Sequence, residues 1–562
     1  MNDNVNVMAA FSLLSVFGYR SAAATPVRVK VQPRKVLNTF DAAFASITYD
    51  IQDFIGFKIY PWKYDWSNKQ LETMIQALTP LTVRAGGTWE DGIFWDDGPK
   101  VGRETKFKWK SGMQSHNLTK KDWDPFMKFW TKFGASSARI VVGLNGLNRH
   151  WGNCDAGPDA ECHDAIPWDS RNSEAFIKHN HEQQYNIYGY ELGNEPGVWN
   201  WTWGTPIIPP RQHAADYAVL RNVLAQEHLS SSNIGDATPL VVGPDTTWGA
   251  VGDELPGGGR NPIAGAGGPN ADYWNGTLQS APLIDAAAFH YYALLPGLVR
   301  TWRDFVTIMR NRSMCTAVAA HARDLASSPL AGKVPLWLGE GGASYGGINS
   351  KEGDWLTVFG GALSYLEDLG CAASNGAKIF ARQQLSNYIQ GNVQKTKGTY
   401  RAFPAWWIAV LWKKLVGTTA LEVTLSGGDA SPLHVFAFGG TNANRTVSSV
   451  RVYTVTAVNW DEKKEVTMVI PGCTAGAEYY LLTPFASTWG SGFVSTAAAA
   501  PPNPVLQGGI AINGKEAKVN AEGSVPAGLL DALVVECVAG EITVEIPALS
   551  AVLVGNVELE LQ

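Results

Sequence analysis

The sequence predicts an α/β fold, an eight-stranded (β/α)8 TIM barrel followed by an antiparallel β-sandwich. Two observations carry this. Between about residues 40 and 415, short and continuously apolar runs alternate with longer amphipathic stretches. That is the pattern of a parallel sheet buried on both faces by crossover helices. After Gly417 the apolar runs become short, rich in β-branched residues and separated by Gly, Pro and Ser turns, the pattern of antiparallel strands packed face to face. A chain of 562 residues accommodates one barrel and a smaller module.

The elements follow in chain order. Residues 1–25 read as a leader: the apolar stretch Val7–Phe17 precedes Ser21-Ala22-Ala23-Ala24, as in a secretory signal, although Asp3 stands where a basic residue is usual. The run Val27–Val31 adds a strand to the sandwich. Eight barrel strands are expected at Ser46–Ile51, Leu81–Arg84, Arg139–Leu144, Ile187–Leu192, Pro239–Val242, Ala286–His290, Pro335–Leu338 and Ala377–Ala381. Helices are expected at Asn68–Leu78, Lys121–Phe133, Gln212–His228, Leu298–Leu325, Trp355–Leu369 and Ala402–Leu415. The barrel is therefore assigned residues 39–415, and the sandwich residues 26–38 plus 416–562, with strands such as Val450–Val458, Glu465–Ile470 and Glu541–Ile546. The Gly-rich stretch Gly257–Gly268 reads as a surface loop. No run approaches the ~20 apolar residues of a membrane span.

Composition excludes several classes. Lys and Arg number 45 against 51 Asp and Glu, a net charge of −6, so nucleic acid is not an expected partner. With 45% apolar and 17% charged residues the chain is no disordered tail. Its 22 tryptophans suit the C–H faces of sugars, but they equally suit a barrel core. Six cysteines allow up to three disulfides, with Cys154 and Cys162 the best candidate pair. A zinc site on Cys154, Cys162 and His163 lacks a second cluster, and no metal or other cofactor is expected. Sequons at Asn117, Asn200, Asn275, Asn311 and Asn444, with the leader, point to a secreted or lysosome/vacuole-like compartment. Oligomeric state is not legible.

Two strands end in acids with unusual surroundings. The fourth reads Tyr190-Glu191-Leu192-Gly193-Asn194-Glu195-Pro196, and the seventh reads Trp337-Leu338-Gly339-Glu340. In barrels of this kind the chemistry sits where strands end and loops begin. Most strand-end carboxylates are merely solvated or cap helices. A pair on opposite walls of one cleft, however, is what retaining glycoside hydrolysis requires: one acid protonates the leaving oxygen and the other attacks the anomeric carbon. Asn194 is suited to hydrogen-bond a sugar hydroxyl.

These segments resemble the heparanase and β-glucuronidase group, glycoside hydrolase family 79. The resemblance covers roughly residues 40 to 420. Besides the two acidic strands, it rests on Arg84-Ala85-Gly86-Gly87-Thr88, Gly143-Leu144-Asn145-Gly146-Leu147, Phe289-His290-Tyr291-Tyr292 and Trp412-Lys413-Lys414-Leu415-Val416-Gly417. It implies that Glu195 is the general acid/base, Glu340 the nucleophile, and Tyr292 the residue that orients the nucleophile. It implies further that Asp50, Thr88, Asn194 and His290 contact the sugar, and that Tyr345, Gly346, Gly347 and Tyr388 receive a glucuronate carboxylate. Glycines there let backbone N–H groups converge on an anion, although a plain turn and two core tyrosines are the bland alternative.

The expectation is a retaining exo-β-glucuronidase whose partner is a glucuronic-acid-containing glycan. Departures temper the match to heparanase. Gly341 and Gly342 stand where heparanase has small hydroxyl residues, and Val101–Lys121 is too short for an excised linker, so one uncut chain is expected. Lys106, Lys108, Lys110, Lys120 and Lys121 form a possible basic rim or a solvated loop. Asp245–Asn270 holds a single Arg and no Lys. An endo-glucuronidase of sulfated polymers is the alternative. Two other classes compete: a serine esterase built on Gly342-Ala343-Ser344-Tyr345-Gly346 with His434, and a silent glycan-binding protein that stacks sugars on Trp199, Trp201 and Trp203.

Overall fold

A computed structural model describes residues 25–54, 64–99, 115–149, 151, 166–229, 238–248, 269–294, 301–344, 356–390, 399–440, 450–486 and 504–560. Eight parallel strands close into a barrel in chain order: Ala45–Asp50, Leu81–Gly86, Ala138–Leu144, Ile187–Leu192, Leu240–Trp248, Ala286–Tyr292, Leu336–Gly342 and Ala377–Arg382. The first strand pairs with both the second and the eighth, which removes every free edge. Side chains alternate along a strand, so Ala286, Ala288, His290 and Tyr292 share the inward face of the sixth. Deep in the barrel that face is apolar: Val141, Val242, Ala286, Ala288, Trp337 and Ile379 form one cluster. Toward the C-terminal strand ends it turns charged, with Arg84, Glu191, Asp245, His290 and Glu340 all buried.

Helices cover the outside. Those at Lys69–Gln76, Lys120–Thr131, Pro210–Leu229 and Pro404–Leu415 match the periodicity in the sequence. Two others, Arg171–Glu182 and Pro269–Gln279, escaped it. The first of these buries Asn172, Ser173, His179 and Asn180 beside Phe176 and Ile177, so polar residues occupy its inner stripe and mask the pattern. The long helix expected over Leu298–Leu325 is two, Trp302–Arg310 and Ser313–Ala326, because Arg312 adopts a left-handed conformation at φ 51°.

Eleven of the remaining strands form one sheet, separate from the barrel, and two small pairs (Ile93–Trp95 with His116–Leu118, and Ile389–Gln390 with Arg401–Ala402) stand apart from both. The N-terminal strand, Val27–Thr39, lies inside it, antiparallel to Val416–Gly427 and parallel to Val466–Pro471. Side chains from strands far apart in the ladder, such as Ile542 and Val544 against Val455 and Val552, meet in a single apolar cluster, so the sheet curls around its own core. Disulfides join Cys315 to Cys371 and Cys473 to Cys537. The pair first favoured, Cys154 and Cys162, lies outside the described residues, as do residues 1–24 and the loop Gly257–Gly268. Of the sequons, Asn200 is buried, which closes it to modification in the folded chain.

Helix Phe359–Ser374 ties the two parts together. It is buried from Phe359 to Ala373, its Ser364, Glu367 and Asp368 included. Its Gly370 runs so close to Phe436 of the sheet that a Cβ would sit 2.3 Å from the ring. On the same helix Glu367 faces His434 at 2.8 Å and accepts the indole N–H of Trp460. Removing one partner of a buried charged pair strands the other. Glu367→Ala should therefore cost about 3 kcal/mol and lower the melting temperature by several degrees, with Glu367→Gln less damaging; thermal denaturation of the two variants checks this.

Candidate active site

At the C-terminal ends of the barrel strands, one arginine organises the charge. Arg84, from the second strand, donates its Nε to Glu191 at 2.6 Å, one terminal nitrogen to Glu340 at 2.8 Å, and the other to Asn194 Oδ1 at 3.0 Å. A fourth carboxylate, Glu90, lies 3.7 Å away. Burial alone would weaken the guanidinium's hold on its proton, but Glu191, Asp245, Glu90 and Glu340 together hold it charged. Glu340 also accepts the Tyr292 hydroxyl. Tyr292 keeps its proton firmly, first through burial and then through the Glu340 charge, so it remains a donor.

Glu195 reaches the same spot from beyond the end of the fourth strand. Gly193 (φ +78°) and Glu195 (φ 51°) turn the chain sharply, and a Cβ on Gly193 would lie 2.3 Å from the Trp199 ring. Asp91 braces the turn by accepting Asn194 N–H at 3.0 Å, Trp199 Nε1–H at 2.7 Å and Gly146 N–H at 3.0 Å. The Glu195 N–H is bound by the Asp245 carbonyl at 3.0 Å. One ligand atom each of Glu195, His290 and Glu340 lies within 4.8 Å of the others. The trio could offer three ligands to a cation. However, His290 holds a proton up to pH about 9: burial and Arg84 oppose this, but hydrogen bonds to Asp245 and Glu195 and the Glu340 charge outweigh them. A metal needs that imidazole neutral.

The structure thus brings together Glu195, Glu340, Tyr292, His290 and Asn194. Asn194 spends its carbonyl on Arg84 and its N–H on Asp91, while its side-chain NH2 makes no hydrogen bond among the described residues. Asp50 is buried and bound by the side chain and backbone of Gln52 at 2.7 and 3.1 Å; burial and then Asp53 push it well above the usual carboxylate range. Thr88 opens the short turn Thr88–Gly92 and is half-buried. Tyr388 is fully buried, packed on Tyr365 and under the Arg382 guanidinium, 5.0 Å from its ring. Tyr345, Gly346 and Gly347 lie outside the described residues, as do Lys106, Lys108 and Lys110.

Two competing readings are weakened. Of the tryptophans considered for stacking, Trp199 and Trp203 are fully buried in the core and offer no face to a sugar, while the side chain of Trp201 lies outside the described residues. Ser344 is fully buried, and His434, which an esterase would need, is committed to Glu367 in the sheet interface. The residues that sequence reasoning passed over are Arg84, Glu90, Asp91, Glu191 and Asp245. A signal existed for Arg84 and Glu191: a charge inside a continuously apolar strand has to be paired. Asp245 lies three residues past the expected end of its strand, which runs on to Trp248.

Fold and site together define a glycoside hydrolase, and comparison with known proteins narrows the class. Residues 27–251 match glycosyl hydrolase family 79, N-terminal domain. Heparanase-like protein 3 of Arabidopsis thaliana is 26% identical over 444 residues, covering 75% of this chain and 74% of the relative. Baicalin-beta-D-glucuronidase of Scutellaria baicalensis is 23% identical over 495 residues, covering 84% and 85%. A 4-O-alpha-L-rhamnosyl-beta-D-glucuronidase from Fusarium oxysporum superimposes with a TM-score of 0.59 at 14% identity, over 94% of this chain and all of that one, a likeness of fold. Over most of its length the chain is similar to the heparanase and β-glucuronidase group of family 79.

Two predictions follow from the packing and the charges. A Cβ on Gly143 would lie 1.9 Å from Glu90 Oε2, so Gly143→Ala must displace Glu90 and with it the Arg84 cluster; kcat/KM should fall at least tenfold although the residue touches no substrate. Folding raises Glu191 to about 8 and Asp91 to about 7, burial being the main cause in both, and raises His290 to about 9. Each of these binds its proton more tightly folded than unfolded, so its contribution is lost as pH rises through the folded value. His213, pushed down to about 4 chiefly by burial, acts oppositely but below pH about 6.5. From pH 6.5 to about 7 these terms share one sign; above that Lys413, pushed down to about 7 by burial, acts oppositely because it binds its proton less tightly folded than unfolded. The melting temperature should fall as pH rises from 6.5 to about 8, where Glu191 and His290 outnumber Lys413, and Glu191→Gln should flatten the fall.

Proposed function

We propose that the chain is a retaining exo-β-glucuronidase, with Glu340 as nucleophile and Glu195 as acid/base. The observation that carries this reading is the approach of one Glu195 oxygen and one Glu340 oxygen to within 4.8 Å at the C-terminal end of the barrel. Retaining enzymes hold their two carboxyl groups ~5–5.5 Å apart, while inverting enzymes leave ~6.5–9.5 Å for a water. In the first step Glu195 gives its proton to the glycosidic oxygen as Glu340 attacks the anomeric carbon, forming a glycosyl ester. Arg84 and Tyr292, both donors to Glu340, keep that carboxylate ionised and aimed. In the second step Glu195 takes a proton from water, whose oxygen displaces Glu340. Asn194 offers its NH2 to a sugar hydroxyl, and Asp50 and Thr88 complete the subsite.

For the substrate, the names of the relatives supply the glucuronide. The carboxylate falls to backbone N–H groups of Tyr345, Gly346 and Gly347, with Tyr388 joining once substrate displaces its packing. A net charge of −6 and the lysine-free stretch Asp245–Asn270 favour glucuronides of neutral or lightly charged aglycones over heavily sulfated polymers. Two disulfides and the leader-like start support a secreted or lysosome/vacuole-like location. No described helix is long and apolar enough to cross a membrane.

Glu340→Ala and Glu195→Ala should each lower turnover of an aryl β-glucuronide by roughly 10³-fold or more, and azide should restore part of the Glu195→Ala activity with a good leaving group. Near-normal turnover by Glu340→Ala would overturn the nucleophile assignment. A matched panel of aryl glucuronide, glucoside, galactoside and xyloside tests the substrate: preference for the glucoside would discard the carboxylate loop and spare the two glutamates.

A further inference from the structure

A second pair of buried groups stands directly behind Glu195, and the two-step displacement does not use it. His290 presents Nδ1 to Glu195 Oε1 at 3.1 Å and Nε2 to Asp245 Oδ1 at 3.3 Å. Both His290 and Asp245 are fully buried. Among the described residues, no other hydrogen bond or ion pair satisfies the Asp245 carboxylate, although the Arg84 charge also acts on it. A dry carboxylate without another partner needs a compensating proton close by, and Nε2 is where the geometry puts it. Asp245 is also tied to the acid by the backbone, since its carbonyl accepts the Glu195 N–H. The three groups form a row: carboxylate, imidazole, carboxylate.

Taking the roles of Glu195 and Glu340 above as given, we propose that His290, anchored by Asp245, is a positioning residue that drives the second half of the reaction by holding Glu195 ionised once Glu340 is esterified. The charged groups around the imidazole come from four other strands or strand ends: Glu195 and Glu191 from the fourth, Asp245 from the fifth, Glu340 from the seventh and Arg84 from the second. In the free enzyme the negative Glu340 offsets the pull of His290 on Glu195, and Glu195 keeps the proton that the leaving oxygen needs. Esterification removes that negative charge. The imidazolium then acts unopposed, and the Glu195 carboxylate is favoured when it has to accept a proton. Water's O–H bond breaks toward Glu195, its oxygen bonds to the anomeric carbon, and the Glu340–carbon bond breaks to leave a carboxylate. His290 gains and loses no proton. That it stays protonated up to pH about 9 supports the charge it has to carry.

The test is stopped-flow and steady-state kinetics of wild type, His290→Gln and the isosteric Asp245→Asn on 2,4-dinitrophenyl β-D-glucuronide, whose leaving group needs no acid. Both variants should release a burst of dinitrophenolate matching the enzyme concentration, which also counts folded sites. Steady turnover should then fall at least tenfold, with KM falling in parallel. The acid limb of kcat should move up by about one pH unit, because the group that must be deprotonated has lost its neighbouring positive charge. An acid limb that stays in place, or loss of the burst together with slowed turnover, overturns the proposal. Labelling with a 2-deoxy-2-fluoro-glucuronide separates it from the reading it rests on. If Glu340 of the wild type is not labelled, the two-glutamate mechanism fails; if it is labelled but the limb does not move, the role of His290 alone fails.

Discussion

The site depends on one buried cation. A guanidinium in the dry upper barrel is stable only while its N–H groups find acceptors, and Arg84 distributes them over Glu191, Glu340 and Asn194, which come from two different strand ends. The dependence runs both ways. Glu191 and Glu340 could not sit a few ångströms apart in that medium without the shared positive charge, and the planar fork of Arg84 sets the direction from which each approaches. The mutual position of the fourth and seventh strands is therefore a consequence of electrostatic pairing as much as of apolar packing below it.

Glu195 is governed differently. It lies past the end of its strand, in a left-handed conformation that costs energy for a residue with a side chain. Two buried acids hold it there through the backbone: Asp91 by way of Asn194, and Asp245 through its own carbonyl. The crowded glycine at 193 and the Trp199 ring fill the inside of the turn. One catalytic candidate is thus fixed by a charge network and the other by a braced loop, so each can be held independently of the other. This suits a reaction in which the two carboxyls must carry different protonation states.

Tryptophan usage takes on a different meaning once packing is known. Trp123, Trp130, Trp199, Trp203, Trp406, Trp407 and Trp460 are among the largest fully buried side chains. These tryptophans belong to the core and offer no stacking surface to a glycan. The interface beneath helix Phe359–Ser374 continues that core, with Glu367 as its polar pin between His434 and Trp460.

The sequence by itself determined the architecture and singled out Glu195 and Glu340 as the candidate acids. Continuous apolar runs at regular spacing can satisfy their backbone only as a buried parallel sheet, and acids at the ends of two such runs are forced to one rim of it. It also assigned the run Val27–Val31 to the C-terminal module, and that strand pairs there with Val416–Gly427. It could not reveal the helices Arg171–Glu182 and Pro269–Gln279, the extension of the fifth strand to Asp245, or the partners of Cys315 and Cys473. Those follow from neighbours distant in the chain, and local periodicity carries no record of them. Whether Trp199 faced a sugar or a core, and whether Arg84, Asp91 and His290 were scaffold or site, was decided by tertiary structure. A polar side chain acquires its chemistry from the charges and the dryness around it, and those exist only after distant strands have met.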